Sequence, residues 1–248
     1  MKVLALVVAL AVARAAAASS PDVTPSGDSV PENLLRIELH FARPLAHALA
    51  MERVRLVDAR GATIPGALLD LALPGDDGRS VTLLLHPGRV KTGVGANVAL
   101  GRALHAGEDV TLVVDDPQLP RVLRKRWHVT AGVEAGVFDG GWRLDAPRAG
   151  SRAPVRVTLA TAVTASGASL IAVRDPRGRR LAGVASLRDG ETTWEFRPAT
   201  AWRAGRYAVV VHPRLEDVAG NRPCAPFEAV GLADVDCRPE APAFDVGR

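Results

Sequence analysis

The sequence predicts an all-β protein, with two tandem β-sandwich domains behind an N-terminal signal peptide. Apolar and polar residues alternate over short runs, turn residues separate these runs, and one unit occurs twice along the chain. Many short strands at such spacing are typical of a sandwich or a barrel. The predicted boundaries are a signal peptide at 1–18, a first domain at 22–131, a linker at 132–141, a second domain at 142–230 and a C-terminal tail at 231–248.

The first residues have the pattern of a secretion signal. Lys2 gives a positive start, Val3–Val12 is an apolar run, and Ala15–Ala18 offers small residues for cleavage, which we expect after Ala18. The run is too short for a membrane-spanning helix, which needs roughly twenty apolar residues. We therefore expect a periplasmic, secreted or cell-surface protein with no stable membrane insertion after cleavage.

The charge balance gives no indication of a nucleic-acid partner. The formal net charge is +4. Loss of Lys2 and Arg14 with the leader lowers it to +2. One basic run, Arg121–Arg126, stands out between the two repeated units. A nucleic-acid-binding protein usually carries a larger clustered basic surface, and an exported protein rarely meets DNA.

Alternation with period two marks the strands of both domains. In such a run the apolar residues face a core and the polar residues face solvent. The clearest runs are Leu35–Phe41, Val155–Leu159, Trp194–Phe196 and Tyr207–Val211. Turns with Asp and Gly separate them, as at Asp58–Gly61, Gly75–Gly78, Asp175–Gly178 and Arg188–Gly190. Helical periodicity is scarce, and only Arg43–Met51 could hold one helical turn.

An internal repeat indicates that the chain contains two copies of one unit. The matching segments share turn residues and strand patterns: Val57–Gly61 with Val173–Gly178, Ile64–Ala67 with Leu181–Val184, Val81–Pro87 with Thr193–Pro198, and Leu104–Gly107 with Trp202–Gly205. The first copy carries an insert, Gly88–Arg102, and its closing strand is expected around Trp127. We interpret the insert as a long loop between two strands.

The repeated unit resembles the bacterial Ig-like domain of surface-layer type (the SbsA-like group). The resemblance rests on the opening Thr24–Pro31, on Leu39–Pro44, on the D-x-x-G turns and on the final segment Val209–Asn221, whose L-E-D-V-A-G-N ending is its most specific part. It implies an Ig-like sandwich and an extracytoplasmic setting. It implies no chemistry, because function depends on a site and not on a fold.

The insert is the first candidate for a recognition site. Long loops on rigid sandwiches often carry binding residues, and Lys91, Asn97 and Arg102 are its polar candidates. Gly93 and Gly95 fit neither the P-loop nor the dinucleotide-binding spacing, so a nucleotide site is not predicted.

Cys224 and Cys237 are predicted to form a disulfide, since export favours oxidation and no His or further Cys lies at metal-ligand spacing around them. Glu216 and Asp217 with Asn221 are expected to form a side-chain-capped turn. No motif for a nucleophile or a general base occurs, so we predict neither enzymatic activity nor a cofactor.

Together these features predict a non-catalytic, exported Ig-like binding or architectural protein of the cell envelope. Its partner would be an envelope protein or polymer that the sequence does not identify. The alternative is a periplasmic metal protein that handles copper through some of its histidines, with His86 and His105 as the first candidates.

Overall fold

The alternating runs of the sequence form strands throughout. The computed structural model describes residues 20–91, 93, 95–133, 142–223, 225, 227 and 242–247, and this part of the chain holds fifteen strands and three short helices. The predicted signal peptide and most of the predicted linker lie outside the described residues. The fold is almost entirely β, as the sequence predicts.

Eight strands form the first two sheets. They are β1 (Asp22–Thr24), β2 (Ser29–Pro31), β3 (Arg36–His40), β4 (Val54–Val57), β5 (Leu68–Pro74), β6 (Ser80–Leu85), β7 (Asp109–Val114) and β8 (Leu123–Thr130). One sheet has the order β1-β3-β6-β5 and the other the order β2-β8-β7-β4. The pairing of β2 with β8 is parallel, whereas the other pairs are antiparallel. With β1 and β2 as two parts of the first strand, this is the ABED and CFG order of an Ig-like sandwich.

Seven strands form the other two sheets. They are β9 (Arg143–Asp145), β10 (Val155–Thr158), β11 (Ile171–Arg174), β12 (Gly183–Arg188), β13 (Thr193–Pro198), β14 (Gly205–Val211) and β15 (Ala243–Val246). Their orders are β12-β13-β10-β9 and β11-β14-β15, which again correspond to ABED and CFG. We call β1–β8 the N-terminal sheet pair and β9–β15 the C-terminal sheet pair.

Each sheet pair encloses its own hydrophobic cluster. Trp127 is fully buried in the first cluster and Trp194 in the second, and each indole nitrogen donates a hydrogen bond to a backbone carbonyl. Trp202 packs edge-on against Tyr207 and Phe244 in the second cluster. Trp194 and Trp202, which both lie in segments of the repeat, are thus core residues of the C-terminal sheet pair.

The D-x-x-G turns of the repeat occupy equivalent places after β4 and β11. The carboxylate of Asp58 accepts hydrogen bonds from the backbone nitrogens of Arg60 and Ala62. Asp175 accepts the same two bonds from Arg177 and Arg179. The side chain thus closes both turns, as the Asp and Gly spacing predicts.

Two sequence expectations need correction. The tail predicted over 231–248 contains β15, which pairs with β14 and closes the second sheet pair. The insert is not a plain loop, because it forms α1 (Pro87–Val90) and α2 (Gly95–Leu100). A 3-10 turn at Met51–Arg53 lies at the end of the stretch where one helical turn was expected.

Candidate functional site

The insert is fixed to the sheets by one buried arginine. Arg89 is only 6% exposed. Its guanidinium donates to the carbonyl oxygens of Gly101 (3.1 Å), Leu100 (3.3 Å), Arg102 (2.9 Å) and Pro65. These carbonyls come from the C-terminal end of the insert and from the segment before β5, whereas Arg89 lies at the N-terminal end of the insert. Arg89 therefore ties the insert down as a structural element.

The three predicted recognition residues take part in contacts within the chain. The Lys91 ammonium lies 4.4 Å from the centroid of the Phe227 ring. Arg102 donates to the carbonyl of Val90 (3.0 Å), and its Nε lies 3.7 Å from Oε1 of Glu32. Asn97 makes one long hydrogen bond to the carbonyl of Arg89 (3.5 Å). Each of the three side chains therefore contacts another part of the chain, and their role as recognition residues stays a prediction.

A second candidate region is the segment after β14, which contacts the N-terminal sheet pair. We call residues 212–223 the junction loop. Its Val218 is 4% exposed and belongs to the hydrophobic cluster of the N-terminal pair. The backbone of Leu35 donates to the carbonyl of Val218 (2.9 Å), and Val218 donates to the carbonyl of Ala162 (3.1 Å). One residue of this loop thus links the residue directly before β3 to the segment that follows β10.

Charged groups flank this apolar contact. Glu216 accepts from Arg36 of β3 through one carboxylate oxygen and from Arg222 (2.7 Å) through the other. The side chain of Glu216 is only 12% exposed. An ion pair with both carboxylate oxygens occupied and little solvent is geometrically specific, so it fixes the position of the loop on β3.

The junction loop is itself held by Asp217 and Asn221. Oδ1 of Asp217 accepts from the backbone nitrogens of Ala219 (2.9 Å) and Asn221 (2.8 Å), and Oδ2 accepts from the Asn221 amide (2.9 Å). The predicted capped turn at these residues is therefore present. The same amide nitrogen reaches the carbonyl of Val133 at 3.3 Å, and Asn33 exchanges two hydrogen bonds with the backbone of Val133.

A second contact lies between the segment after β1 and the hairpin that joins β12 to β13. The backbone nitrogen of Ser26 donates to Oε2 of Glu191 (2.8 Å), whose side chain is buried. Gly190 has a φ of +65°, and a Cβ there would lie 2.9 Å from the Cα of Gly27. Only glycine fits this backbone conformation and this approach.

Asp217 of the junction loop is a buried carboxyl group, and its burial shifts its pKa. Burial raises the pKa of Asp217 from 3.8 to about 6, against the opposing effect of its hydrogen bonds to Asn221 and Ala219. The folded chain then keeps a proton that the unfolded chain loses between these two pH values. The contribution of Asp217 to stability is present at low pH and is lost as the pH rises towards 6.

We expect the unfolding free energy of the wild type to fall between pH 4 and pH 6 relative to that of Asp217→Asn, by about 3 kcal/mol at most. Urea denaturation at several pH values measures this difference. Asp58→Asn is the control, because Asp58 accepts the same pair of backbone bonds in a more exposed turn. A pH profile of Asp217→Asn that matches the wild type would contradict the assignment.

The copper alternative gains no support. Across the described residues, no group of three or more His, Cys, Asp and Glu side chains could hold a metal ion. The Nδ1 of His86 accepts from the backbone of Gly88 (3.1 Å) at the start of α1. His86 thus caps α1, a role that the sequence did not predict. Cys224 and Cys237 lie outside the described residues, so their disulfide stays a prediction.

The sequence predicted the capped turn, but it did not indicate the roles of Arg89 in the insert or of Val218 in the junction loop. Arg89 is one of 31 basic residues, and nothing in its neighbourhood distinguishes it. In the sequence, Val218 belongs to a motif that closes the second domain, but in the structure it packs into the core of the N-terminal sheet pair. Among the described residues, no helix is long and apolar enough to cross a membrane.

No family model matches the sequence, and no curated protein matches it either. Solved structures show weak likeness. The BSP domain of a biofilm-associated protein is 12% identical over 77% of this chain and 26% of its own, with a TM-score of 0.26. Domains 5–6 of the S-layer protein SbsC are 12% identical over 77% and 90%, with a TM-score of 0.27.

Native alpha-2-macroglobulin of Escherichia coli, spanning domains MG0-NIE-MG1, is 13% identical over 94% of this chain and 72% of its own, with a TM-score of 0.29. The chain spans about a quarter of the length of the biofilm-associated protein. Likeness at this level adds nothing to the strand order, which by itself defines the Ig-like arrangement.

Proposed function

We propose that the chain is a non-catalytic architectural and binding module of the cell envelope, in which two Ig-like sheet pairs are held in a fixed relation. The observation that carries the proposal is Val218, which belongs to the C-terminal half of the chain and packs in the N-terminal core. A flexible pair of domains would have no reason to share a core residue.

The contacts around Val218 support this role because they join the two halves of the chain at separate places. The Leu35 to Val218 backbone bond and the Arg36 to Glu216 pair lie at the start of β3. The Ser26 to Glu191 bond comes from other segments of both halves. Three separate contacts with a shared apolar residue suit a protein that holds its surfaces at a set distance from each other.

The binding side of the proposal concerns surfaces away from the junction. Exposed apolar side chains occur on α2, where Val98 is 76% exposed, and on the edge strand β12, where Val184 is 73% exposed. Sheet edges and exposed apolar side chains are the usual places for a partner chain to bind. The signal peptide predicted at 1–18 would deliver these surfaces to the envelope.

Site-specific photo-crosslinking in cells tests the proposal. A photoreactive residue replaces Val98 or Val184 in the tagged full chain, and Arg177, an exposed turn residue, is the control position. We expect one face to capture a reproducible envelope component that the control position does not capture. Turnover of an ester, peptide or glycan substrate by the purified protein, or the absence of any position-specific adduct, would contradict it.

A further inference from the structure

The outer face of the sheet β2-β8-β7-β4 carries a cluster of arginines that the proposed function has not used. Residues 110, 112 and 114 of β7 point into the core, so Val113 points outwards. Arg55 of β4 and Arg124 of β8 are its direct cross-strand neighbours. Arg126 follows on the same side of β8, opposite Thr111. We call Arg55, Arg124 and Arg126 the arginine face.

The arginine side chains on this face are supported by apolar surface. Val113 points outwards and yet is only 1% exposed, so neighbouring side chains must cover it. Its direct neighbours are Arg55 and Arg124, and arginine stems commonly lie along apolar surface while the guanidinium stays in water. The stems are thereby restricted, which lowers the conformational entropy that a bound partner would have to remove.

The charge of the face is largely uncompensated. Among the described residues, no carboxylate forms an ion pair with Arg55 or Arg124. Of the outward-facing residues 109, 111 and 113 of β7, Asp109 is the acidic one, and it binds Arg126 (2.5 Å) and His128 (3.2 Å). At the strand ends, Asp58 and Asp116 accept hydrogen bonds from backbone nitrogens.

The spacing of the arginines suits an extended partner. Arg55 and Arg124 lie two strands apart, about 10 Å between their backbones, and Arg124 and Arg126 lie about 7 Å apart along β8. Arginines at such backbone intervals suit a chain that carries one anionic group per repeat. The guanidinium fork binds carboxylates in two-bond geometry, and the pair of Arg126 with Asp109 shows that a carboxylate fits on this face.

We propose that the arginine face binds an acidic polysaccharide whose sugars carry carboxylates. The proposal goes beyond the proposed function by naming the class of partner, and it rests on that function only for the location of the polymer in the envelope. It does not depend on the junction. Arg55, Arg124 and Arg126 lie on the sheet β2-β8-β7-β4, whereas the junction loop binds at β3 of the other sheet.

Binding of the purified full chain to polygalacturonate, measured by biolayer interferometry, tests the proposal. We expect binding that weakens with rising salt, as charge-driven association does, and no binding to neutral dextran. The double variant Arg55→Gln/Arg124→Gln should bind about ten-fold more weakly. The matched control is Arg177→Gln/Arg203→Gln, which removes the same charge from exposed positions of the C-terminal sheet pair and should bind like the wild type.

The remaining outcomes overturn the proposal. Equal loss in both double variants would mean that net charge alone drives binding. Equal binding of dextran would exclude a role for carboxylates. Tighter binding of polyphosphate or single-stranded DNA would assign the face to phosphates instead. Thermal unfolding of each variant shows that it is folded, and photo-crosslinking in cells without polygalacturonate binding would remove this proposal but leave the proposed function in place.

Discussion

Val218→Asp should separate the two sheet pairs. The substitution places a carboxylate in the N-terminal core, where Val218 is 4% exposed and packs among apolar side chains. An unpaired buried charge costs several kcal/mol, so we expect a loss of at least about 3 kcal/mol in the free energy that holds the junction. Scanning calorimetry should show one unfolding transition for the wild type and two for the variant.

The control for this experiment is Val184→Asp. It makes the same chemical change on the edge strand β12, where the side chain is 73% exposed, and should leave the transition close to that of the wild type. A single unshifted transition in Val218→Asp would mean that the junction loop contributes little to coupling. If the N-terminal transition disappeared altogether, Val218→Asp would have unfolded the N-terminal core itself. Val218→Ala, which removes two methyl groups and adds no charge, would then be used to measure the coupling between the two sheet pairs.

Arg89→Met should loosen the insert. The variant keeps the length and the apolar part of the side chain but removes the donors for the carbonyls of Pro65, Leu100, Gly101 and Arg102. Buried acceptors without a donor are costly, and water can reach only part of this site. We expect a loss of about 3 kcal/mol in the free energy of unfolding, measured by urea denaturation.

Arg177→Met is the matched control, because Arg177 lies exposed in the turn after β11 and its side chain has no described partner. A change below about 0.5 kcal/mol is expected there. If Arg89→Met proved equally mild, the carbonyls around Arg89 would be solvated after its removal. The insert would then be held only loosely to the sheets.

The strands and turns of this protein could be predicted because their signals are local. A strand with one buried face has to alternate, as in β3, and a D-x-x-G turn needs its Asp acceptor and its glycine within four residues, as at Asp58 and Asp175. The helices of the insert also have local sequence signals. Pro87 stands at the first turn of α1, and Gly101, with a φ of +71°, directly follows α2.

The junction could not be predicted because its determinants are distant in sequence. Glu216 pairs with Arg36, and Val218 bonds to Leu35, across roughly 180 positions of the chain. Nothing within the junction loop indicates which surface it meets. β15 was not predicted for a related reason. It pairs with β14, which is distant in sequence, and its four residues are too short a run for alternation to mark a strand.

The arginine face could be predicted only in part, because it combines a local sequence signal with a pairing between distant strands. The basic run Arg121–Arg126 is visible in the sequence, but only the sheet register shows that Arg124 and Arg126 share a side with Arg55. Lys125, from the same run, points elsewhere and donates to the carbonyl of Ser26 (2.8 Å). Register, rather than composition, therefore decides which charges can act together.

The central claim is that the two sheet pairs are held in one arrangement, and a distance measurement between them tests it most directly. Spin labels attached through non-canonical residues at Leu71 of β5 and Val184 of β12, both exposed, report this distance by double electron–electron resonance without using the native cysteines. We expect a single narrow distance distribution in the wild type, and a broad one in Val218→Asp. A broad or multimodal distribution in the wild type would contradict the claim.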